Sequence, residues 1–320
     1  MSLFDLIDEL YEEFATGLGN ELAEHARDLP RALRLAPVAG IPWSRVFSHE
    51  VTLGAPALFA EAMPSASRAI VRVAVKAHML AVIHAFGTDR VEDGQVLPTV
   101  GLLGVLHEAR LERDRAIRSL GVAGRDVDAS RADREMIEAI SAERALLTGA
   151  WPADLRTYER VSLAKQSAGF VASAALARAA GWNPRQRRSV SRTLESVALA
   201  LQMHDDVVDW EDDESRGGSW VVALVRGSAA VPWAGGLKGR GASLRSDVLR
   251  SGTQRRLLDR ARQHMRATRL RALALGAHGL AAWARGREER LAQLVAAESA
   301  SAGYAGRVHA LSAWAAEVLA

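Results

Sequence analysis

Gln202-Met203-His204-Asp205-Asp206-Val207-Val208-Asp209-Trp210-Glu211-Asp212-Asp213-Glu214 places seven acids among the ten residues from Asp205 to Glu214. Upstream, Asn183-Pro184 reads as an N-cap followed by proline at the first helical position. No helix breaker intervenes before Gly217-Gly218. The acids therefore fall in the last third of a long helix predicted over 184–213. The helix dipole favours cations at that end, and acids four residues apart repel one another. Asp205, Asp209 and Asp213, spaced i, i+4, i+8, share one face. A chain that stacks anions against helix electrostatics gains something from their charge, and divalent cations are the simplest recipients.

The anomaly recurs at Asp89 and Asp93, i and i+4 at the end of an apolar stretch that begins near Ser65 and carries Val71, Val75, His78, Val82 and Phe86. Gly94 is the expected stop. Two helices ending in carboxylate pairs can point both pairs into one cavity mouth. That suits Mg2+, which keeps waters and is usually held by one or two carboxylates plus substrate phosphates. Either cluster alone also fits a solvated surface patch. Between them, Lys165 precedes the small residues Ser167, Ala168, Gly169, Ala172, Ser173 and Ala174, past which an ammonium can reach into a cavity. An ordinary surface lysine is the competing reading.

The rest of the chain sets bounds. With 320 residues, 49% of them hydrophobic, it can bury a large core. A net charge of +3 gives no bulk signal for a nucleic-acid partner. Cysteine is absent, which removes disulfides, thiolate metal sites and a cysteine nucleophile. Met1-Ser2-Leu3-Phe4-Asp5 does not read as a signal peptide, and no run of eighteen apolar residues predicts an integral membrane segment. A cytoplasmic location is the expectation.

Helical periodicity is predicted over 2–28, 50–62, 65–93, 99–120, 128–149, 153–180, 184–213, 244–276, 278–298 and 302–319, with a glycine-rich loop over 226–243 as a candidate lid. No convincing period-2 strand is present. The fold class expected is all-α, one domain over 1–320: N-terminal helices and loop (1–64), a motif-bearing core (65–225), then loop and C-terminal helices (226–320). Val75, Met79, Val82, Phe86, Phe170, Leu199 and Met203 are read either as the wall of a central apolar cavity or as plain core. Glu211, Asp212 and Glu214 are expected to face solvent. No Glu-x-x-His pair, His-Glu-x-x-His or Gly-x4-Gly-Lys is found.

Gln202-x-x-Asp205-Asp206-x-x-Asp209 resembles the second aspartate-rich motif of trans-polyprenyl diphosphate synthases. Lys165-Gln166-Ser167-Ala168-Gly169-Phe170, followed by Gly181, resembles their lysine-threonine helix, and Asp89-Arg90-Val91-Glu92-Asp93 stands where their first motif belongs. The Asp205, Asp209, Asp213 spacing is similar to the metal triad of class I terpene synthases. Residues 202–217, with Ser215-Arg216-Gly217, are similar to squalene and phytoene synthases. All belong to one α-helical isoprenoid-synthase superfamily, and the resemblance spans roughly 65–225. It implies Mg2+ held by Asp89, Asp93, Asp205, Asp209 and Asp213, a prenyl diphosphate bound by Lys165, and supporting roles for Gln202 and Asp206. A homodimer is compatible with it. Arginines in 185–192 and 245–271 are candidates to cap the diphosphate. Arg90 replaces the second aspartate of the first motif, Gly94-Gln95 stands in place of an Arg-Arg pair, and a Gly-Lys-Arg segment upstream is missing. These departures favour a terpene synthase that ionises one prenyl diphosphate. A prenyltransferase, chain-elongating or head-to-head, is the alternative, and an inactive regulatory subunit of the same fold is the second.

Overall fold

The computed structural model describes residues 2–47, 49–148, 153–227 and 241–318. Among the described residues there are fifteen α-helices and no strand. Five helices, α1 (Leu3–Thr16), α2 (Asn20–Arg27), α3 (Leu29–Ala32), α4 (Trp43–Val46) and α5 (Glu50–Ala60), lead into α6 (Arg68–Glu92). Then come α7 (Val100–Ser119), α8 (Ala129–Thr148), α9 (Leu155–Lys165), α10 (Ser167–Ala179) and α11 (Pro184–Arg216). The last four are α12 (Trp220–Arg226), α13 (Gly241–Ser251), α14 (Thr253–Leu275) and α15 (His278–Val318).

The chain divides into two compact units with interleaved segments. The first comprises Met1–Ile140, Ala164–Leu194 and Leu270–Ala281, and the second Ser141–Leu163, Glu195–Arg269 and Ala282–Ala320.

At the centre of the first unit, α6 packs against α5, α7 and α10. It starts on Ser67, whose hydroxyl accepts the Ile70 N–H. It stops as predicted at Gly94, whose φ of +68° lets the Gly94 and Gln95 amides fold back onto the carbonyls of Val91 and Arg90. By length and composition α6 could cross a membrane. In this unit its apolar residues are core: Val75, Met79, Leu80 and Ile83 pack with Ile7 and Leu10 of α1, Leu53 of α5, and Leu102, Val105 and Leu106 of α7. Each such side chain contributes about 1.5–3 kcal/mol when fully buried. His78 ties three helices, its ring nitrogens 2.8 Å from the Gly169 carbonyl oxygen and 3.0 Å from that of Thr52. At Gly87 a Cβ would lie 2.4 Å from the Leu106 side chain of α7, so any larger residue must displace that side chain.

In the second unit, Tyr158 of α9, Met203, Val207 and Trp210 of α11, Trp220 of α12, Leu257, Leu258 and Met265 of α14, and Leu291 of α15 form the core. Of the residues with two readings, Val75 and Met79 pack in the first core, with Val82 partly buried against it, and Leu199 and Met203 pack in the second. Phe86 is 37% exposed and meets Phe47 edge-on at 5.1 Å.

Several boundaries differ from expectation. The stripe over 2–28 is two helices, broken at Gly17-Leu18-Gly19, where Gly19 has φ +79°. The stretch 153–180 breaks at Gln166, whose backbone (φ −95°, ψ 1°) leaves the helical region without glycine or proline. The stretch 244–276 breaks at Gly252 (φ +65°), whereas 278–318 continues as one helix. Helix α12 was not anticipated: Ser219 caps it, and its Trp-Val-Val-Ala-Leu-Val run is buried throughout. Residues 228–240 of the predicted loop lie outside the described residues.

Candidate active site

Helix α11 presents its carboxylates at different depths. Successive steps of four residues advance about 40° around a helix, so Asp205, Asp209 and Asp213 form one slowly turning row, while Asp206 points about 100° away. Asp205 and Asp209 are exposed, with Asp205 3.3 Å from His204 Nδ1. Asp213 is half-buried. Burial raises its pKa to about 6, with the charges of Asp209, Glu143 and Asp212 adding to the rise and Arg216, 3.2 Å away, opposing it. Two exposed carboxylates one turn apart are the hard oxygen donors that Mg2+ takes. Among the described residues no group of three or more His, Cys, Asp or Glu side chains is close enough to hold an ion. An ion on this face would therefore complete its shell with waters or ligand phosphates, as Mg2+ commonly does.

Asp206 is buried and fully engaged. Tyr158 Oη donates to its Oδ2 at 2.6 Å and Gln202 Nε2 to its Oδ1 at 2.9 Å. A buried carboxylate is tolerable only with such donors. Desolvation, and then the charge of Asp206, hold the Tyr158 hydroxyl protonated well above its ordinary pKa. Tyr158 in turn meets Trp220 edge-on at 5.0 Å, and Trp220 Nε1 donates to the buried Glu143 at 2.5 Å. Gln202 and Asp206 thus form one polar network with Tyr158, behind the exposed row.

The other acids of the cluster split. Glu211 is exposed and takes Arg245 Nε at 2.7 Å, and Asp212 is exposed. Glu214, expected to face solvent, is instead largely buried: it accepts the Ser219 amide at 3.1 Å and Arg226 at 3.3 Å, and so fastens the turn between α11 and α12.

In the first unit, Asp89 occupies the last turn of α6 and Asp93 caps it, the Asp93 amide donating to the Asp89 carbonyl at 2.9 Å. Lys165, in the last turn of α9 where the helix dipole welcomes a cation, lies 3.1 Å from Asp89 Oδ1. The contact is an ion pair without the alignment of a hydrogen bond, and Oδ1 is closed to solvent. The structure thus brings Lys165 to Asp89, both from the predicted set. Several candidate arginines are already occupied: Arg245 by Glu211, Arg260 by Glu159, Arg269 by Glu288. Arg287 of α15 is a cation within the field of Asp205: burial and Arg290 lower its pKa, and Asp205 opposes them. Neither Tyr158 nor Arg287 carried a spacing signal relative to the acidic stretch.

No protein-family model and no curated relative matches the sequence. Solved structures do. A polyprenyl synthetase from Streptomyces coelicolor A3(2) is 16% identical and superposes with a TM-score of 0.63, covering 92% of this chain and 97% of its own. A geranylgeranyl pyrophosphate synthase from Corynebacterium glutamicum gives 0.61 at 16% identity, covering 90% and 92%. A polyprenyl synthase from Caulobacter crescentus, complexed with calcium and isoprenyl diphosphate, gives 0.60 at 16% identity, covering 88% and 97%. The fold is shared with these polyprenyl and geranylgeranyl pyrophosphate synthases. Arg90 and Gly94-Gln95 therefore stand in a chain that follows the fold of the Streptomyces coelicolor structure over 92% of its own length.

Proposed function

We propose that the chain is a metal-dependent enzyme acting on prenyl diphosphates, and that prenyl transfer is its reaction. The observation that carries this reading is the exposed Asp205–Asp209 row, borne on a fold whose solved neighbours are prenyl chain synthases, one of them complexed with calcium and isoprenyl diphosphate. Asp205 and Asp209, with Asp213, would hold Mg2+ on α11, and Asp89 and Asp93 would do so on α6. Bound there, the metal supplies neutralisation of the charge that develops on a departing diphosphate. Lys165 donates to diphosphate oxygens. Tyr158 and Gln202 fix Asp206, and through it the direction of the exposed row. The second reading, ionisation and rearrangement of a single prenyl diphosphate, is favoured by Arg90 and by Gly94-Gln95, which remove groups a two-substrate elongase would use.

Incubation with geranyl, farnesyl and geranylgeranyl diphosphates, with and without isopentenyl diphosphate, separates the readings. Longer diphosphates formed only with isopentenyl diphosphate support transfer, and a hydrocarbon or alcohol from one substrate alone supports the second reading. No turnover, together with no thermal stabilisation by magnesium plus diphosphate, would leave a non-catalytic member of the fold. Asp205→Ala or Asp209→Ala should lower turnover by about 100-fold or more with helix content unchanged. Wild-type magnesium-dependent turnover in either variant would remove the metal assignment.

A further inference from the structure

In the first unit, a cavity of about 360 Å³ opens between α6, α7 and α8. His84 and Thr88, one turn apart on α6, form one wall, Arg110 of α7 a second, and Ser130, Asp133, Arg134 and Ile137 along one face of α8 the third. It is not part of the acidic clusters: at about 100° per residue, Thr88 and His84 project about 100° and 140° away from Asp89. We propose that this cavity binds a small oxyanion, a phosphate or carboxylate group.

The floor is rigid. Arg113, with no exposed side-chain area, grips both oxygens of Asp133 at 2.6 and 2.8 Å and also holds Asp114 Oδ1 at 2.7 Å. A buried ion pair of this kind costs desolvation, which close, bidentate geometry offsets. Its consequence here is that both oxygens of Asp133 are already taken. The remaining lining is rich in donors: two guanidinium groups, from Arg110 and Arg134, and two hydroxyls, from Thr88 and Ser130. An anion with several acceptor oxygens matches that set, and a metal cation does not.

Two polar atoms on the lining are sealed from solvent without a hydrogen-bond partner: His84 Nδ1 and Arg110 Nε. Arg110 Nε stands 3.0 Å from Asp133 Oδ2 but out of line for a hydrogen bond. Buried polar atoms are rarely left unmatched; these two lie behind the accessible wall of the cavity and act on its occupant through charge rather than by contact. The charges that act on His84 are those of Arg110 and Arg113 against that of Asp133, with Asp114 on the far side of Arg113. Burial first, with Arg113 and Arg110 adding, pushes its pKa down to about 4, while Asp133 and the Leu106 backbone oppose the shift. An oxyanion in the cavity reverses that field, so His84 takes up a proton as the anion enters. Ile137, half exposed on the rim, leaves room for a short apolar substituent on the ligand.

Isothermal titration in EDTA, which silences metal-bridged diphosphate binding, tests the site with inorganic phosphate, hexyl phosphate and hexanoate as separate probes. At least one should bind the wild-type chain, more tightly at pH 6 than at pH 8 once the probe's own ionisation is subtracted, with proton uptake beyond that of the probe visible as a dependence of the heat on buffer ionisation. Arg134→Ser, at an exposed position that leaves the fold intact, should weaken it by about tenfold or more, and Asp205→Asn should not change it. His84→Gln should abolish the proton uptake. The three probes tell a free phosphate from a phosphate ester or a fatty carboxylate. Failure of all three to bind, equal binding in Arg134→Ser, or proton uptake that survives His84→Gln would each overturn the proposal. None of these outcomes depends on the prenyl-diphosphate reading.

Discussion

Burial lifts the Asp213 carboxyl to a pKa of about 6 from an ordinary value of 3.8. At this one group the folded chain holds more proton than the unfolded chain between roughly pH 4 and pH 6, and the contribution of Asp213 to stability is lost as pH rises through that window. Above it, the ionised carboxylate is a net cost in the absence of metal. Asp213→Asn should accordingly raise the melting temperature by roughly 1–3 °C at pH 7.5 in EDTA, an advantage that disappears by pH 4; differential scanning calorimetry at the two pH values reads it directly. The acid row was legible because i, i+4, i+8 spacing is a property of the sequence alone. The fate of Asp206 was not: its partner Tyr158 lies 48 residues away, and only tertiary packing brings the hydroxyl to it. Glu214 misled for the same reason, since what it holds, Ser219 and Arg226, belongs to a helix the pattern did not announce.

Elements were legible where caps and stops are chemical. Ser67 and Gly94 bracket α6, and Asn183, which accepts the amides of Arg185 and Gln186 through its side chain, opens α11. They were not legible where packing alone decides, as at Gln166, which carries no breaker residue. Helix α12 escaped because a short run of β-branched and aromatic residues has neither clear period. The α6–α7 contact turns on Gly87, where helix propensity and packing oppose each other. Gly87→Ala should help the isolated helix by about 1 kcal/mol, but its methyl group must displace the buried Leu106. A net loss of about 1–3 kcal/mol in urea unfolding is expected. A neutral or stabilising result would mean that the Leu106 side chain repacks without cost.

Over the whole molecule, composition and the missing strand pattern were enough to set the all-α class, and the order of the motifs was enough to suggest the isoprenoid-synthase fold. The interleaving of the two units was out of reach, because each draws on three separate segments of the chain. Among the described residues, Met79 belongs to one buried cluster and Met203 to another. Met79→Ala in one and Met203→Ala in the other, both at fully buried sites, should each cost about 2–5 kcal/mol. Their effects in the double variant should add to within about 0.5 kcal/mol, as measured by denaturant unfolding. A larger deviation would reveal coupling between the cores. The basic residues are almost all arginine: Lys76, Lys165 and Lys238 are the only lysines in 320 residues. Lys76 is tied to Glu112 at 2.6 Å, and Lys238 lies outside the described residues. The ion pair between Lys165 and Asp89 therefore makes an amine-acylating reagent into a reporter. With so few side-chain amines to modify, peptide mapping of Lys165 measures how often its carboxylate lets go, and anything that occupies Asp89 or covers the lysine registers as a change in that single label.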